Sequence, residues 1–490
     1  MILFSLVVLF LCAGILTPKE MLEGFSNKGM ITVALLFLVS EGIRQSGTLG
    51  QVIKKLLPQG KTTVFKAQLR ILPSVAFISA FLNNTPVVVI FAPIIKHWAK
   101  SVNLPATKFL IPLSYVTILG GICTLIGTST NLVVHGMILE AGFEGFSMFE
   151  LGKVGIFIAI AGIIYIFLFS KRLLPDARPD TAVPDEEVEE GEKLHRVEAV
   201  LGARFPGINK KLKDFNFQRH YGAEVKEIKT RNGQRFVSNL EEVVLHEGDT
   251  LVVMADDTFI PTWGESSVFV LLTNGNEPDT TGKKKRWFAL LLLVLMIVGA
   301  TVGELPITKE MFPDIKLDMF FFVSITTIIM AWTNLFPARK YTKYISWDIL
   351  ITIACAFAIS KAMVNSGVAD SVAKFIIGLS DDYGPHVLLA MVFIITNLFT
   401  ELITNNAAAA LAFPLALSIS AQLGVSPTPF FVVICMAASA SFSTPIGYQT
   451  NLIVQGIGNY KFTDFVRIGL PLNIITFLIS IILIPLIWNF

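Results

Sequence analysis

One short polar string occurs twice in the sequence, as Leu82-Asn83-Asn84-Thr85-Pro86 and as Ile403-Thr404-Asn405-Asn406-Ala407. Each copy lies in the middle of an apolar run that is long enough to enter a lipid bilayer. Amide side chains at that depth are costly unless they find hydrogen-bond partners or bind a ligand. The two strings therefore indicate a polar site inside a membrane protein.

The composition of the whole chain also indicates an integral membrane protein. Of its 490 residues, 53% are hydrophobic and 16% are charged, whereas roughly a quarter of the residues in a soluble protein are charged. Apolar stretches of membrane-spanning length are clearest at 153–169, 287–303, 317–336, 347–364 and 468–488. We expect the lipid bilayer as a partner. The net charge of +2 gives no indication of nucleic acid.

The two halves of the chain are repeats of each other. Asn84 and Asn405 lie 321 positions apart, and so do Pro93 and Pro414. Two further blocks match at an offset of 320, namely Ser46-Gly47 with Ser366-Gly367 and Thr130-Asn131-Leu132 with Thr450-Asn451-Leu452. A repeat built around polar breaks is typical of secondary transporters with inverted repeats. The stretch 287–303 has no equivalent in the first half, so we expect the first repeat to lack its first helix.

The hydropathy is interrupted once, between residues 171 and 286, and this interval divides the chain. We predict a first transmembrane repeat at 1–172, an acidic linker at 173–192, a small α/β domain at 193–275 and a second transmembrane repeat at 276–490. Basic clusters lie at both membrane edges of the interval, at Lys171-Arg172 and at 283–286. The positive-inside rule therefore places residues 173–285 in the cytoplasm. The predicted fold is an α-helical polytopic membrane protein with two inverted repeats and an inserted cytoplasmic α/β domain.

Each polar string is followed by a second break in the apolar pattern. Pro86 removes a backbone donor and pushes Thr85 out of helical geometry, so the first string predicts the tip of a re-entrant hairpin. The second string has no proline, and for residues 386–420 a continuous helix is the better prediction. Downstream, 118–134 and 430–456 contain glycines and hydroxyl side chains that predict broken helices. Irregular backbone at this depth must line a cavity or be buried in protein.

These paired motifs resemble those of the divalent anion:sodium symporter family of the ion transporter superfamily. Members carry a Ser-Asn-Thr signature at two hairpin tips and a Thr-Pro-Pro-Asn-like signature in each following broken helix. The resemblance implies a substrate site formed by Asn83, Asn84, Thr85, Thr130, Asn131, Thr404, Asn405, Asn406, Thr450 and Asn451. It also implies sodium sites that use Ser79, Asn83, Asn84, Gly127, Thr400, Thr404, Asn405 and Gly447.

Several of these residues have other plausible roles. Asn84 and Asn405 could instead join helices through hydrogen bonds. Asn131 and Asn451 could cap the half-helices that follow. Glu401, an intramembrane carboxylate, could carry a proton.

The motifs also depart from the family pattern. Asn83 replaces the first serine, Asn406 replaces the second threonine, and neither broken helix has paired prolines. The string from Thr444 to Asn451 is similar to the family branch that carries soluble regulatory domains between its repeats. Residues 193–265 resemble the C-terminal ligand-sensing domain of potassium-conductance regulators, the RCK type. The resemblance implies a small regulatory ligand for 193–275, and this branch is associated with both sulfate and dicarboxylates.

The sequence therefore predicts a transporter and not an enzyme. We expect a sodium-coupled secondary active transporter of a divalent anion, foremost sulfate, in the inner (plasma) membrane. Sodium is the expected coupling ion, without an organic cofactor. The resemblance further implies a homodimer with an elevator-like motion. The alternatives are a sodium- or proton-coupled dicarboxylate carrier, an ion antiporter, or a channel gated by the cytoplasmic domain.

Overall fold

The computed structural model describes residues 2–176, 195–202, 204–230, 234–256, 259–263, 268–273, 283–312, 314–378 and 384–490. Most of the predicted acidic linker, 173–192, falls outside the described residues. The described part contains seven helical segments that are long and apolar enough to cross a membrane. They are Pro18–Gln45, Gly152–Leu173, Lys284–Gly303, Trp347–Asn365, Gly384–Leu402, Asn405–Leu423 and Phe462–Ile487. The prediction of a polytopic helical membrane protein is confirmed.

The first half of the chain is helical from its beginning to the edge of the linker. Its helices are α1 (Ile2–Cys12), α2 (Pro18–Glu23), α3 (Lys28–Gln45), α4 (Thr48–Leu56), α5 (Val64–Ser79), α6 (Asn84–Ser101), α7 (Leu110–Gly121), α8 (Ser129–Glu140) and α9 (Gly152–Leu173).

A small α/β unit follows. Its elements are β1 (His195–Leu201), α10 (Phe217–Tyr221), β2 (Glu224–Lys229), β3 (Arg235–Phe236), β4 (Thr250–Ala255), α11 (Phe259–Trp263) and β5 (Phe269–Thr273). The strands form one antiparallel sheet in the order β3-β2-β4-β1-β5. Aromatic side chains, among them Phe205, Phe217 and Phe269, fill a separate hydrophobic core against the sheet.

The second half is again helical. Its helices are α12 (Lys283–Gly303), α13 (Pro306–Met311), α14 (Met319–Trp332), α15 (Tyr341–Tyr344), α16 (Trp347–Asn365), α17 (Val368–Gly378), α18 (Gly384–Leu402), α19 (Asn405–Leu423), α20 (Thr428–Ser439), α21 (Gln449–Gly458) and α22 (Phe462–Ile487). An offset of about 320 residues superposes α3 to α9 on α16 to α22 in order and type. Helix α12 has no counterpart among the described residues of the first half.

Each polar string lies between the end of one helix and the start of the next. In the first, α5 ends at Ser79 and α6 begins at Asn84, after Asn83 in an extended conformation with φ −56° and ψ 141°. In the second, α18 ends at Leu402 and α19 begins at Asn405, after Thr404 with φ −67° and ψ 147°. The prediction of a continuous helix over 386–420 is therefore wrong.

Tertiary contacts explain why the second break needs no proline. A helix that ends inside protein leaves carbonyl groups that must find other donors. The Glu401 carbonyl accepts a hydrogen bond from Thr444 Oγ1 at 3.2 Å, and the Thr400 carbonyl accepts one from Ser441 Oγ at 3.3 Å. Both donors lie between α20 and α21. The following broken helix therefore stabilises the hairpin tip.

The two breaks between α7 and α8 and between α20 and α21 are bridged in the same way. Asn131 Nδ2 donates to the Thr124 carbonyl at 2.8 Å, and Asn451 Nδ2 donates to the Ser441 and Thr444 carbonyls at 2.9 and 3.1 Å. Both asparagines are fully buried. Thr128 and Tyr448, rather than the asparagines, occupy the N-cap positions.

Candidate functional site: a polar cavity between the hairpin tips

A cavity of about 230 Å³ lies where the two hairpin tips and the two broken helices meet. One wall consists mostly of amide and hydroxyl side chains from these four segments. Its residues are Asn83, Thr85, Pro86, Ser129, Thr130, Thr404, Asn405, Asn406, Ile446, Gly447, Tyr448 and Gln449. Six of the ten predicted substrate residues, Asn83, Thr85, Thr130, Thr404, Asn405 and Asn406, thus lie on one cavity.

Other lining residues come from helices that the sequence analysis did not connect with the site. They are Phe37, Ser40 and Glu41 on α3, and Tyr344, Ser346 and Ile349 near the start of α16. The repeat offset could not reveal these residues, because it pairs Phe37, Ser40 and Glu41 with Phe357, Ser360 and Lys361, which do not line the cavity. Their positions depend on how α3 and α16 pack beside the hairpins.

The cavity is lined without a lysine or arginine, as far as the described residues show. Its one carboxylate, Glu41, is buried and is bound by Arg44, whose Nε and Nη2 lie 2.7 and 2.6 Å from the two carboxylate oxygens. A bidentate pair of this kind neutralises the acid. The pair is visible in the sequence as an acid and a base three positions apart in an apolar helix.

Hydrogen bonds across the cavity wall repeat the symmetry of the sequence. Thr85 Oγ1 donates to Gln449 Oε1 at 3.3 Å, and Ser129 Oγ donates to Asn406 Oδ1 at 3.2 Å. These two pairs exchange places under the repeat offset. Each hairpin tip is thus hydrogen-bonded to the broken helix of the other repeat.

A hydroxyl lies next to the oxygen of each central asparagine. Ser79 Oγ donates to Asn84 Oδ1 at 2.7 Å, whereas Thr400 Oγ1 donates to the Ala438 carbonyl at 2.6 Å and lies 3.3 Å from Asn405 Oδ1. All four side chains are buried. Ser79 and Thr400, which the resemblance implies as sodium ligands, therefore lie next to the asparagines five residues later, and their contact with sodium stays a prediction.

Backbone oxygens converge on the first tip around a spot that only glycine leaves open. A Cβ atom on Gly121 would lie 2.8 Å from Asn84 Oδ1 and 3.1 Å from the Gly127 carbonyl. A Cβ atom on Gly127 would lie 2.6 Å from the Gly121 carbonyl and 3.0 Å from the Ala80 carbonyl. A cluster of neutral oxygens suits a hard cation such as sodium.

A similar arrangement lies behind the second tip. A Cβ atom on Gly447 would lie 2.7 Å from the Thr400 carbonyl and would collide with Ser441 Oγ. The predicted sodium residues Thr400, Asn405 and Gly447 therefore lie together, as do Ser79, Asn84 and Gly127 at the first tip. Asn83 and Thr404, also predicted for sodium, line the cavity itself.

Four predicted substrate residues lie behind the cavity wall. Asn84, Asn131, Thr450 and Asn451 are at most 1% exposed and do not line the cavity. Ser114 Oγ on α7 holds two of them, at 2.9 Å from Thr450 Oγ1 and 2.7 Å from Asn451 Oδ1. Contact between these four residues and the substrate stays a prediction.

Glu401 lies next to the second tip within the membrane-spanning part. Its Oε1 accepts hydrogen bonds from the Ser443 amide at 2.9 Å and from Asn473 Nδ2 at 2.8 Å. Its Oε2 is buried and finds no hydrogen-bond partner among the described residues. The acid is thus fixed on one side and open to a proton or a cation on the other.

The fold is that of a polytopic membrane protein with a polar cavity among its helices, and sequence comparison identifies the class as a transporter. The sequence model of the CitMHS family, described as citrate transporters, matches residues 1–417 and also 314–489. The chain therefore belongs to this family of transporters. It is a multi-pass membrane transporter and not an enzyme, and its resemblance to the divalent anion:sodium symporters is confirmed.

Three relatives illustrate where the chain lies within this group. It is 30% identical to an uncharacterized transporter of Synechocystis sp., over 98% of this chain and 92% of the relative. It is 28% identical to a putative sulfur deprivation response regulator of Chlamydomonas reinhardtii, over 98% and 96% of the two chains. It is 23% identical to a probable sodium/sulfate cotransporter 3 of the same alga, over 96% and 84%.

Proposed function

We propose that this protein is a sodium-coupled secondary active transporter of a divalent anion, foremost sulfate, which works by alternating access. One observation carries the proposal. A neutral cavity, lined by amide and hydroxyl groups from two repeat-related hairpin tips, is backed at each tip by a glycine-lined group of oxygen atoms.

The cavity can bind an anion without a basic side chain. Asn and Thr side chains supply hydrogen-bond donors at its wall, and the first turns of α6 and α19 begin at the two tips. Helix N-termini favour negative charge. These groups are weak partners for a doubly charged ion in a low-dielectric site, so an additional positive charge is needed close by.

Sodium at the oxygen clusters would supply that charge. Asn405 would join one candidate sodium cluster to the cavity, because it lines the cavity and its Oδ1 lies beside Thr400, and Asn84 would do so through its hydrogen bond to the cavity residue Tyr448. Binding of sodium and of the anion would then be coupled, and each should raise the affinity for the other.

The proposal of sulfate as the substrate is supported by the names of several relatives. One relative that covers most of this chain is named a probable sodium/sulfate cotransporter, and a second is named a putative sulfur deprivation response regulator. Two further relatives, sodium/sulfate cotransporters 1 and 2 of Chlamydomonas reinhardtii, match 57% of this chain. We also propose a plasma-membrane location with residues 173–285 in the cytoplasm, and a homodimer as in the resembling family.

A dicarboxylate carrier is the second candidate. The family model is described as a citrate transporter, and the open oxygen of Glu401 is compatible with proton coupling. An ion antiporter and a gated channel stay weaker alternatives from the sequence.

The inserted domain is proposed to regulate transport, because it contacts three of the helices that contribute residues to the cavity, α6, α21 and α16. On one side Glu198 of β1 binds Lys96 of α6, with both carboxylate oxygens 3.0 Å from Nζ. A Cβ atom on Gly248 would lie 2.6 Å from Leu452 of α21. On the other side Arg204 pairs with Asp348, between the cavity residues Ser346 and Ile349.

These contacts suggest a mechanism for regulation. Opening the cavity to either side of the membrane requires the helices that line it to move relative to each other, and a domain bound to several of these helices would resist that movement. A small cytoplasmic ligand bound to residues 193–275 would act by changing these contacts.

The experiment is uptake of labelled sulfate and labelled succinate into proteoliposomes, with and without an inward sodium gradient. We expect sodium-dependent sulfate uptake that excess unlabelled sulfate abolishes. Succinate uptake without sulfate uptake would replace sulfate by a dicarboxylate, and a proton gradient as the sole driving force would replace sodium. Uptake of neither anion under either gradient would contradict the proposal.

A further inference from the structure

A second cavity, of about 670 Å³, lies between the last turn of α4 and the beginning of α5. It shares no lining residue with the polar cavity at the hairpin tips. Arg70 Nη2 donates to the Lys55 carbonyl at 2.8 Å, and this bond holds the guanidinium beside the end of α4. Basic side chains from two helices therefore surround one opening. The lining residues are Gln51, Lys54, Lys55, Leu57, Gln59 and Arg70.

The cavity lies in a strongly basic stretch of the chain. Between Glu41 and Glu140 the sequence contains nine lysines and arginines and no aspartate or glutamate. The carbonyl groups at the end of α4 offset part of this positive charge. An anion between Lys55 and Arg70 would offset more of it, because opposite charges at short distance attract.

Hydrogen bonds place this basic cavity at the end of the helices where the inserted domain is attached. Thr48 Oγ1, at the start of α4, lies 3.5 Å from the Arg286 carbonyl in the first turn of α12. Trp98 Nε1 donates at 2.9 Å to the Pro58 carbonyl in the loop between α4 and α5. Trp98 belongs to α6, the helix that binds the inserted domain through Lys96. The cavity therefore lies at a membrane edge and not in the middle of the membrane-spanning part.

An exposed apolar stripe begins beside the cavity and continues along α5. Phe65, Leu69, Pro73 and Phe77 recur at every fourth position and therefore share one face of the helix. Phe65 and Leu69 are each 53% exposed, and Phe77 is 70% exposed. Contiguous exposed apolar surface marks contact with a membrane or a partner. The stripe runs from Arg70, which follows Leu69, towards the first hairpin tip.

We propose that the basic cavity binds the phosphate group of an anionic phospholipid whose acyl chains lie along the apolar stripe of α5. The planar guanidinium of Arg70 suits phosphate oxygens, and the ammonium of Lys55 adds a point charge. Basic pockets between membrane helices are known to hold anionic headgroups. A soluble phosphate could use the same cations, but it would leave the apolar stripe without a role.

The repeat shows that the basic cavity is peculiar to the first half of the chain. The offset of 320 pairs Lys54 with Lys374 and Lys55 with Phe375, and the offset of 321 pairs Arg70 with Met391. The second half thus keeps one of the three cations. The repeat alone does not require the other two, and the exposed Lys374 provides a matched control for the loss of one charge.

The test is native mass spectrometry of the full-length protein in mixed micelles of phosphatidylglycerol and phosphatidylcholine. The wild type should bind phosphatidylglycerol at least about tenfold more tightly than phosphatidylcholine, because several cations face the headgroup. Lys55→Gln and Arg70→Gln should each lower the affinity for phosphatidylglycerol about fivefold, the effect of one cation near an anionic headgroup. Lys374→Gln should leave it within about twofold. Equal affinity for the two lipids, or equal effects of Lys55→Gln and Lys374→Gln, would overturn the proposal.

Two further measurements separate lipid binding from other causes. Lys55→Gln leaves the bond between Arg70 and the Lys55 carbonyl in place, because that bond uses the backbone, and thermal unfolding in phosphatidylcholine identifies variants with folding defects. Inorganic phosphate at the concentration of the lipid should not displace phosphatidylglycerol. Complete displacement would overturn the assignment to a lipid.

This inference goes beyond the proposed transport function and does not depend on it. Lipid binding is measured without an anion gradient or sodium, so a failure of sulfate uptake would leave the result unaffected. Equally, a failure of lipid binding would leave the proposed transport function intact.

Discussion

The two hairpin tips have the same backbone design and different side-chain surroundings. At both, a helix ends, one residue is extended, and an asparagine begins the next helix with a hydroxyl next to its oxygen. At the first tip the asparagine is closed in by Tyr448, and Ala80 stands where the second tip has Glu401. The repeat gives the two tips a similar backbone, and substitutions at a few positions give them different side-chain surroundings.

The broken helices differ in a related way. Asn451 Oδ1 accepts from Ser114, while Asn131 Oδ1 is buried without a partner among the described residues. The repeat offset pairs Ser114 with Ile434, which has no donor to offer. Of these two repeat-related asparagines, Asn451 therefore has a hydrogen bond at its side-chain oxygen and Asn131 has none among the described residues.

The largest effect is expected from filling the first oxygen cluster. In Gly121→Ala the new methyl group would lie 2.8 Å from Asn84 Oδ1, where no cation could then bind. We expect sodium-driven uptake to be lost. Gly378→Ala is the control, because a Cβ atom there meets nothing within 4 Å. Normal uptake in Gly121→Ala would remove this cluster from the sodium path.

A smaller effect is expected from the hydroxyls that lie next to the asparagine oxygens. Ser79→Ala and Thr400→Ala should each raise the half-saturating sodium concentration by about tenfold, because one oxygen contact is lost. Thr333→Ala is a matched control, since within the described part of the chain its hydroxyl bonds only to carbonyls of the preceding helical turn. If sodium titrations of uptake give unchanged values in both variants, these hydroxyls are not sodium ligands.

The acid that distinguishes the second tip should tolerate neutralisation. In Glu401→Gln, Oε1 can keep its bonds to Ser443 and Asn473, so we expect sodium-driven sulfate uptake within about threefold of the wild type. Uptake driven by a proton gradient, measured in the same vesicles, provides the contrast. Loss of sodium-driven uptake in a well-folded Glu401→Gln protein would give the acid a direct role in coupling.

The smallest effects are expected from the contacts of the inserted domain. Glu198→Gln weakens the pair with Lys96 and should raise the initial uptake rate about two- to fivefold. Arg204→Glu should do less, because its pair with Asp348 is largely exposed. The double variant Arg204→Glu with Asp348→Arg should return to the wild-type rate. Slower uptake in the single variants would show that the domain supports movement and does not restrain it.

This contact should not respond to pH in the physiological range. Burial alone would raise the pKa of Glu198, but the ammonium groups of Lys96 and Lys229 outweigh burial and lower that pKa to about 2. A carboxylate with a lowered pKa contributes its full stabilisation above its unfolded pKa of about 4.3, and loses it as the pH falls towards 2. Hydrogen exchange of β1 should therefore be unchanged, after correction for intrinsic rates, between about pH 5 and pH 8. A change within that interval would contradict the assignment.

Much of the site could be predicted from the repeated asparagine strings. Six of the ten predicted substrate residues line one cavity, and the predicted sodium residues Ser79 and Thr400 lie beside Asn84 and Asn405. These predictions were possible because polar groups inside an apolar run must form hydrogen bonds or bind a ligand. Two copies of one motif also fix the alignment of the two repeats. The residues of α3 and α16 could not be found this way, since their role depends on distant packing.

The sequence by itself determined the membrane location, the two repeats and the polar strings at their centres, since hydropathy is a local property of the chain. The prediction that Pro86 pushes Thr85 out of helical geometry is wrong, because the first break lies before Asn84 and both residues belong to the first turn of α6. Only the tertiary structure decided that Thr404 breaks the second helix without a proline. It also decided that Tyr448 reaches Asn84, while Asn405 Nδ2 finds no partner among the described residues. Those outcomes depend on which donors meet which acceptors across the repeats, and no local pattern in the sequence encodes such a meeting.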